Sequence, residues 1–145
     1  MSCIEILMND MKYSNSEDIL FTKGLGGCFA IVIYTKNQKF EEGILIHGEP
    51  LYIENFFPTI IELLITKTMK LAEIKKIAIF HINENQTEFI KKVLKSNLGE
   101  NIKIVEIMYS RDIIYGNSFQ GEIIYKIKDG IVYHENGTLN MKNIS

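Results

Sequence analysis

The sequence predicts an α+β fold built on a mixed, largely antiparallel β-sheet core flanked by helices. Three observations carry that expectation. The β-branched run Phe29-Ala30-Ile31-Val32-Ile33-Tyr34 is followed, after a polar turn, by a second apolar run at Gly43-Ile44-Leu45-Ile46-His47. Asp129-Gly130 joins two further strand-like runs, Ile123–Lys128 and Ile131–Glu135, which is a hairpin signal. Between these hairpins lie two stretches of helical periodicity, so helices and strands are segregated rather than alternating as in a doubly wound parallel sheet.

The elements follow in order. Ile4, Ile6 and Met8 alternate like a short strand, and Asn9 to Asp18 is polar. Thr35 to Lys39 reads as a turn, and Pro50 stops the strand that ends at His47 because proline donates no ladder hydrogen bond. Pro58 opens a helix in which Phe57, Ile60, Ile61, Leu64, Thr68 and Leu71 share a face. Ile77–Ile82 is a strand. Asn85 with Glu88 three residues later marks a capped helix start, Phe89, Ile90, Val93 and Leu94 form its inner face, and Gly99 ends it. Ile102–Met108 is another strand.

The chain has 145 residues, 46% hydrophobic and 23% charged, with a formal net charge of −2. These values fit one domain over residues 1–145 with a single buried core. No basic cluster suits a nucleic acid, and no apolar run is long enough to span a bilayer. The amino terminus lacks the pattern of a cleaved secretory signal, so a cytoplasmic location is expected, with export by a route that needs no such signal left open. Cys3 and Cys28 then read as free thiols. No metal-ligand spacing and no nucleotide-binding pattern occurs, so no metal and no cofactor is expected.

The chemically informative stretch is Thr22-Lys23-Gly24-Leu25-Gly26-Gly27-Cys28. Three glycines in four positions before a buried strand are costly unless the backbone needs unusual dihedrals or close approach. A cysteine closing such a loop sits where backbone N–H groups converge, the geometry of an oxyanion hole. A glycine-rich turn entering a strand at a small buried cysteine is the plain structural alternative. If the first hairpin centres its loop on Asn37-Gln38, Cys28 lies directly opposite His47. An imidazole there would lower the thiol pKa and hold a reactive thiolate. His81 and His134 have no comparable tie to Cys28.

At these residues the sequence resembles the CheD family of chemoreceptor glutamine deamidases and the wider group of cysteine deamidases that includes the cytotoxic necrotizing factor toxins. The Leu-x-Gly-Cys motif of that group reads here Leu25-Gly26-Gly27-Cys28, with Thr22 six residues before the cysteine and His47 after the next strand. The resemblance implies a CheD-like deamidase sandwich in which Cys28 is the nucleophile, His47 the general base and acid, and Thr22 the group that orients the imidazole. Backbone N–H groups of this loop, at Leu25, Gly26, Gly27 and Cys28, would form the oxyanion site. It further implies a protein substrate bearing a target glutamine, of chemoreceptor or effector type, with a glutamyl methyl ester as a chemically close variant. An idle binding module of the same fold and a thiol hydrolase of small amides or esters remain the competing readings.

Overall fold

A computed structural model describes residues 2–37, 40–49, 74–81, 84–100, 102–109 and 121–144. The strands are β1 (Cys3–Glu5), β2 (Asp10–Asn15), β3 (Ile19–Thr22), β4 (Phe29–Lys36), β5 (Glu41–Gly48), β6 (Ile74–His81), β7 (Lys103–Met108), β8 (Ile123–Lys126), β9 (Ile131–His134) and β10 (Gly137–Asn140). Among the described residues one helix, α1 (Glu84–Leu98), lies between β6 and β7 in the chain, and a 3-10 turn follows β10 at Met141–Asn143. The helix expected over Phe57–Leu71 falls outside the described residues.

Two sheets result, ordered β1-β3-β8-β9-β10 and β2-β5-β4-β6-β7. Among the described pairings only β1–β3 and β6–β7 are parallel, so the mixed, mainly antiparallel α+β class holds. The long apolar run of β4 is explained by burial on both sides. Ala30, Val32 and Tyr34 enter a core shared with Leu20, Ile123, Tyr125 and Val132 of the other sheet. Phe29, Ile31 and Ile33 enter a second core with Ile90 and Leu94 of α1. A strand covered on both faces has no polar side to show, so alternation disappears. Each fully buried isoleucine contributes roughly 1.5–3 kcal/mol. The sheets approach closely at Gly43, where a Cβ would stand 2.6 Å from Cε2 of Tyr125.

The first hairpin forms as expected, but in a different register. Ala30, not Cys28, lies opposite His47, and Phe29 faces Gly48. The cause is the turn: the Asn37 N–H donates to the Phe40 carbonyl at 3.1 Å, and the Phe40 N–H to the Asn37 side chain at 2.9 Å. Asn37 and Phe40 therefore close the loop, whose centre sits one residue later than the composition implied.

Helix α1 begins at Glu84 and takes Asn85 inside it, so Asn85 is not the cap residue the spacing predicted. Its other end behaves as read. Gly99 adopts φ +108° and its N–H donates to the Lys95 carbonyl at 2.9 Å, a left-handed stop suited to glycine. At the second hairpin, Gly130 has φ +69° and its N–H reaches the Lys126 carbonyl at 2.9 Å. No described helix is long and apolar enough to cross a membrane.

Candidate functional site

The site lies at the end of the inter-sheet core where β3 of one sheet meets β5 of the other. On β5, alternation turns Leu45 and His47 toward the opposite sheet, while Ile44 and Ile46 face the helix side. Thr22 closes β3 across from it. Both are buried, with Thr22 at 0% and His47 at 2% exposure. Such a buried polar pair is tolerated only when hydrogen-bonded.

The Thr22 hydroxyl donates its proton to the Ile6 carbonyl at 2.7 Å and lies 2.8 Å from Nδ1 of His47. A hydroxyl has one proton. Once that proton is committed to Ile6, the oxygen can only accept from His47, so Nδ1 carries the ring hydrogen. Nε2 of the neutral ring is then left as a bare lone pair. It is buried and has no hydrogen-bond partner among the described residues. A histidine held in this tautomer, with no structural donor to its free nitrogen, is poised to take a proton.

Cys28 stands one residue before β4. Continuing the hairpin register by one step sets Glu49 opposite Cys28, and makes Cys28 a diagonal neighbour of His47 on the same sheet face. The half-buried cysteine packs against the inter-sheet core, the side His47 occupies. The loop that delivers it is a tight turn, with the Cys28 N–H donating to the Leu25 carbonyl at 2.5 Å. Gly26, its first central residue, has φ +47° and Gly27 has no positive φ, the pattern of a type II′ turn that calls for glycine first. Leu25 is pinned in turn, its N–H reaching the Gly121 carbonyl at 3.4 Å. Gly121 tolerates no side chain, since a Cβ would sit 2.7 Å from the Leu25 nitrogen.

This turn revises the oxyanion expectation. The N–H groups of Leu25 and Cys28 are spent on carbonyls, so neither can greet a developing oxyanion. Among the described residues the N–H groups of Gly26 and Gly27 have no such partner. The space that a side chain on either glycine would fill is open.

The electrostatics also depart from a resting thiolate. Burial raises the Cys28 pKa above its usual value, and the Glu49 carboxylate adds to the rise. Burial lowers the His47 pKa, with Glu49 opposing in part. Desolvation penalises both charged forms, so the pair rests as neutral thiol and neutral imidazole.

Two residues of this site escaped the sequence reading. Asn9, at φ +61°, donates its backbone N–H to the His47 carbonyl at 2.7 Å. Its side chain clamps Glu49 twice: Nδ2 donates to Oε2 at 3.1 Å, and Oδ1 accepts the Glu49 N–H at 2.9 Å. Glu49 carried one legible signal, since two residues after His47 it must share the same face. For Asn9 nothing local pointed there.

The other histidines lie elsewhere. His81 follows Phe80 on β6 and so faces the helix side, with Nε2 at 3.8 Å from Oε1 of Glu106. His134 rests against Phe80, ring centroids 5.2 Å apart, and against Tyr109. Cys3 is exposed at the other end of the chain's first strand. Among the described residues no three His, Cys, Asp or Glu side chains gather as metal ligands. Comparison of the whole chain with protein-family models gives no match, and neither does comparison with curated proteins.

Proposed function

We propose that this chain is a cysteine hydrolase that converts a glutamine side chain of a partner protein to glutamate, with Cys28 as nucleophile, His47 as base and acid, and Thr22 as the positioning residue. The observation that carries the proposal is the relay from the Ile6 carbonyl through the Thr22 hydroxyl to Nδ1 of His47, which leaves Nε2 unprotonated on the face Cys28 occupies. Buried polar atoms are ordinarily hydrogen-bonded, so an unpartnered Nε2 supports a working role for the ring.

The reaction starts from the neutral pair. As the Cys28 sulfur attacks the carboxamide carbon, its proton passes to Nε2 of His47, and the sulfur–carbon bond forms. The charge on the carboxamide oxygen meets the N–H groups of Gly26 and Gly27. In a well-studied protease one such donor is worth about 3–4 kcal/mol. The imidazolium gives its proton to the departing nitrogen, the carbon–nitrogen bond breaks, and ammonia leaves a thioester on Cys28. His47 then takes a proton from water, the hydroxyl adds to the thioester carbon, and the carbon–sulfur bond breaks. The thiolate recovers its proton from His47. Glutamine and water have become glutamate and ammonia, and no cofactor takes part.

Cys28 is partly exposed and Gly27 beside it is open to solvent, so a side chain offered by a partner's surface can reach the thiol. The resemblance of Leu25-Gly26-Gly27-Cys28, Thr22 and His47 to the CheD-type deamidases supports the choice of glutamine. The test is to incubate the protein with a panel of glutamine-bearing proteins, chemoreceptor cytoplasmic segments included, and map Gln→Glu conversion by peptide mass. The wild type should produce conversions that Cys28→Ala does not. Identical maps for the two would overturn the proposal.

A further inference from the structure

We propose that Glu49 is a specificity-determining residue, a carboxylate held beside Cys28 that makes the site accept neutral carboxamides in a basic sequence context and turn away anionic groups. The inference rests on Cys28 being the reactive nucleophile and goes beyond it, since neither the thiol nor the histidine chooses among substrates by charge.

The placement comes from the backbone. Phe29 faces Gly48 at the last pair of the hairpin, and one further step in that register brings Glu49 opposite Cys28. Alternation along β5 puts Glu49 on the side of His47 and away from Gly48. Gly48 faces the other way, where the Phe29 ring covers it so closely that a Cβ would meet its Cζ at 2.3 Å. The strand end therefore cannot rotate Glu49 toward the helix side without expelling that ring.

A surface carboxylate would ordinarily swing into water. Glu49 is instead held by Asn9 at both its backbone N–H and its Oε2, and Asn9 is itself tied by its N–H to the His47 carbonyl. The residue that clamps the carboxylate is thus bonded to the strand that carries the base. Asparagine is among the few side chains that accept the left-handed conformation Asn9 adopts. Glu49 lies near enough to act electrostatically on both Cys28 and His47. A fixed negative charge so near the thiol disfavours any incoming carboxylate, the glutamate product included. It favours a glutamine flanked by lysine or arginine.

Two thiol reagents of nearly equal size read this directly, because iodoacetamide is neutral and iodoacetate is an anion. The rate of each at Cys28 is followed by peptide mass for wild type, Glu49→Gln, Asn9→Gly and, as a control on an exposed turn, Glu17→Gln. Asn9→Gly keeps the left-handed backbone accessible while removing the clamp. Glu49→Gln should raise the iodoacetate-to-iodoacetamide rate ratio about tenfold, a value set by a half-exposed charge pair at short range. Asn9→Gly should raise it less, and Glu17→Gln should leave it unchanged. Simple loosening of the loop would speed both reagents together and leave the ratio where it was. An unchanged ratio in Glu49→Gln, or an equal rise in Glu17→Gln, overturns the proposal while Cys28 still reacts. Failure of Cys28 to react with either reagent in the native protein would instead overturn the nucleophile assignment on which it rests.

Discussion

Replacing Thr22 by valine removes one oxygen atom and keeps the β-branched shape. That oxygen serves two buried partners, the Ile6 carbonyl at 2.7 Å and the His47 ring at 2.8 Å. Both partners stay behind in Thr22→Val, in a place that water does not reach. An orphaned buried polar group costs about 1–3 kcal/mol, so the pair should cost about 2–6 kcal/mol. For a chain of this size that corresponds to a fall in melting temperature of roughly 10–20 °C. The chemical consequence is separate. Without an acceptor for the Nδ1 hydrogen, the imidazole is free to move its proton to Nε2, where it can no longer accept the thiol proton. General acid–base catalysis is worth about 10²–10⁴-fold, and partial loss of orientation should cost about 10²-fold in turnover or in Cys28 labelling at neutral pH. Thr22→Ser is the control. It loses a methyl group worth about 0.8 kcal/mol but keeps the hydroxyl, so it should restore both melting and reactivity most of the way. Thermal melting and the Cys28 alkylation rate, measured side by side on the three proteins, decide the point. Valine matching wild type in labelling, or serine failing as badly as valine, would refute the relay.

Three further expectations follow from the same geometry. His47 and His134 are both held below the usual 6.5 by burial, so the unfolded chain binds protons that the folded chain refuses. The stability gained by keeping these rings neutral is complete above that value and drains as pH falls below it. His47→Gln should remove part of that acid slope in denaturant titrations below pH 6.5, and an unchanged slope would contradict the burial argument. Cys28→Ser should melt within about 1 kcal/mol of wild type, since the site is only half-buried and the shape is kept, while all conversion of glutamine is lost. Residual conversion at the wild-type rate would remove Cys28 from the mechanism. Gly48→Ala sets a methyl group against the Phe29 ring and should destabilise the fold by about 1–3 kcal/mol, read as a shifted denaturation midpoint. No shift would mean the ring moves freely.

Much of the strand core was legible because it rests on local pattern. Phe29–Tyr34 and Gly43–His47 are apolar runs around a polar turn, and Asp129-Gly130 is turn chemistry that needs no tertiary context. The strands that escaped notice are β2, β3 and β10. Among the described residues β2 and β10 are edge strands with one neighbour each, and most of their side chains are exposed or only half-buried, so Asp10–Asn15 reads as a loop. β3 has only four residues and lacks the kind of turn signal that Asp129-Gly130 gives to the equally short β8 and β9. The site was legible in its identities and illegible in its geometry. Thr22 and His47 meet through a hydrogen bond at one end of the inter-sheet core, and Cys28 is a diagonal neighbour of His47 on the same sheet face with no hydrogen bond to its Nε2 among the described residues. The register that joins Cys28 to His47 depended on where the 37–40 turn closes, and a side chain-to-backbone bond from Asn37 decided that. The thiol's raised pKa could not be read from residue types, because it comes from burial and from a carboxylate whose position Asn9 fixes across the sheet.

The central claim is that His47 is the proton acceptor for Cys28, and the pH dependence of Cys28 alkylation by iodoacetamide tests it most directly. A thiol that ionises alone loses reactivity about tenfold for each pH unit below its pKa. A thiol that hands its proton to a neighbouring neutral imidazole does not, until that imidazole is itself protonated. The account predicts a flat rate for wild-type Cys28 from below pH 6.5, where burial has moved His47, up toward the raised thiol value above 9.0. In His47→Gln the same rate should climb steadily with pH across that range. Parallel profiles for the two proteins, both climbing, would show that Cys28 ionises without help from His47 and would contradict the account.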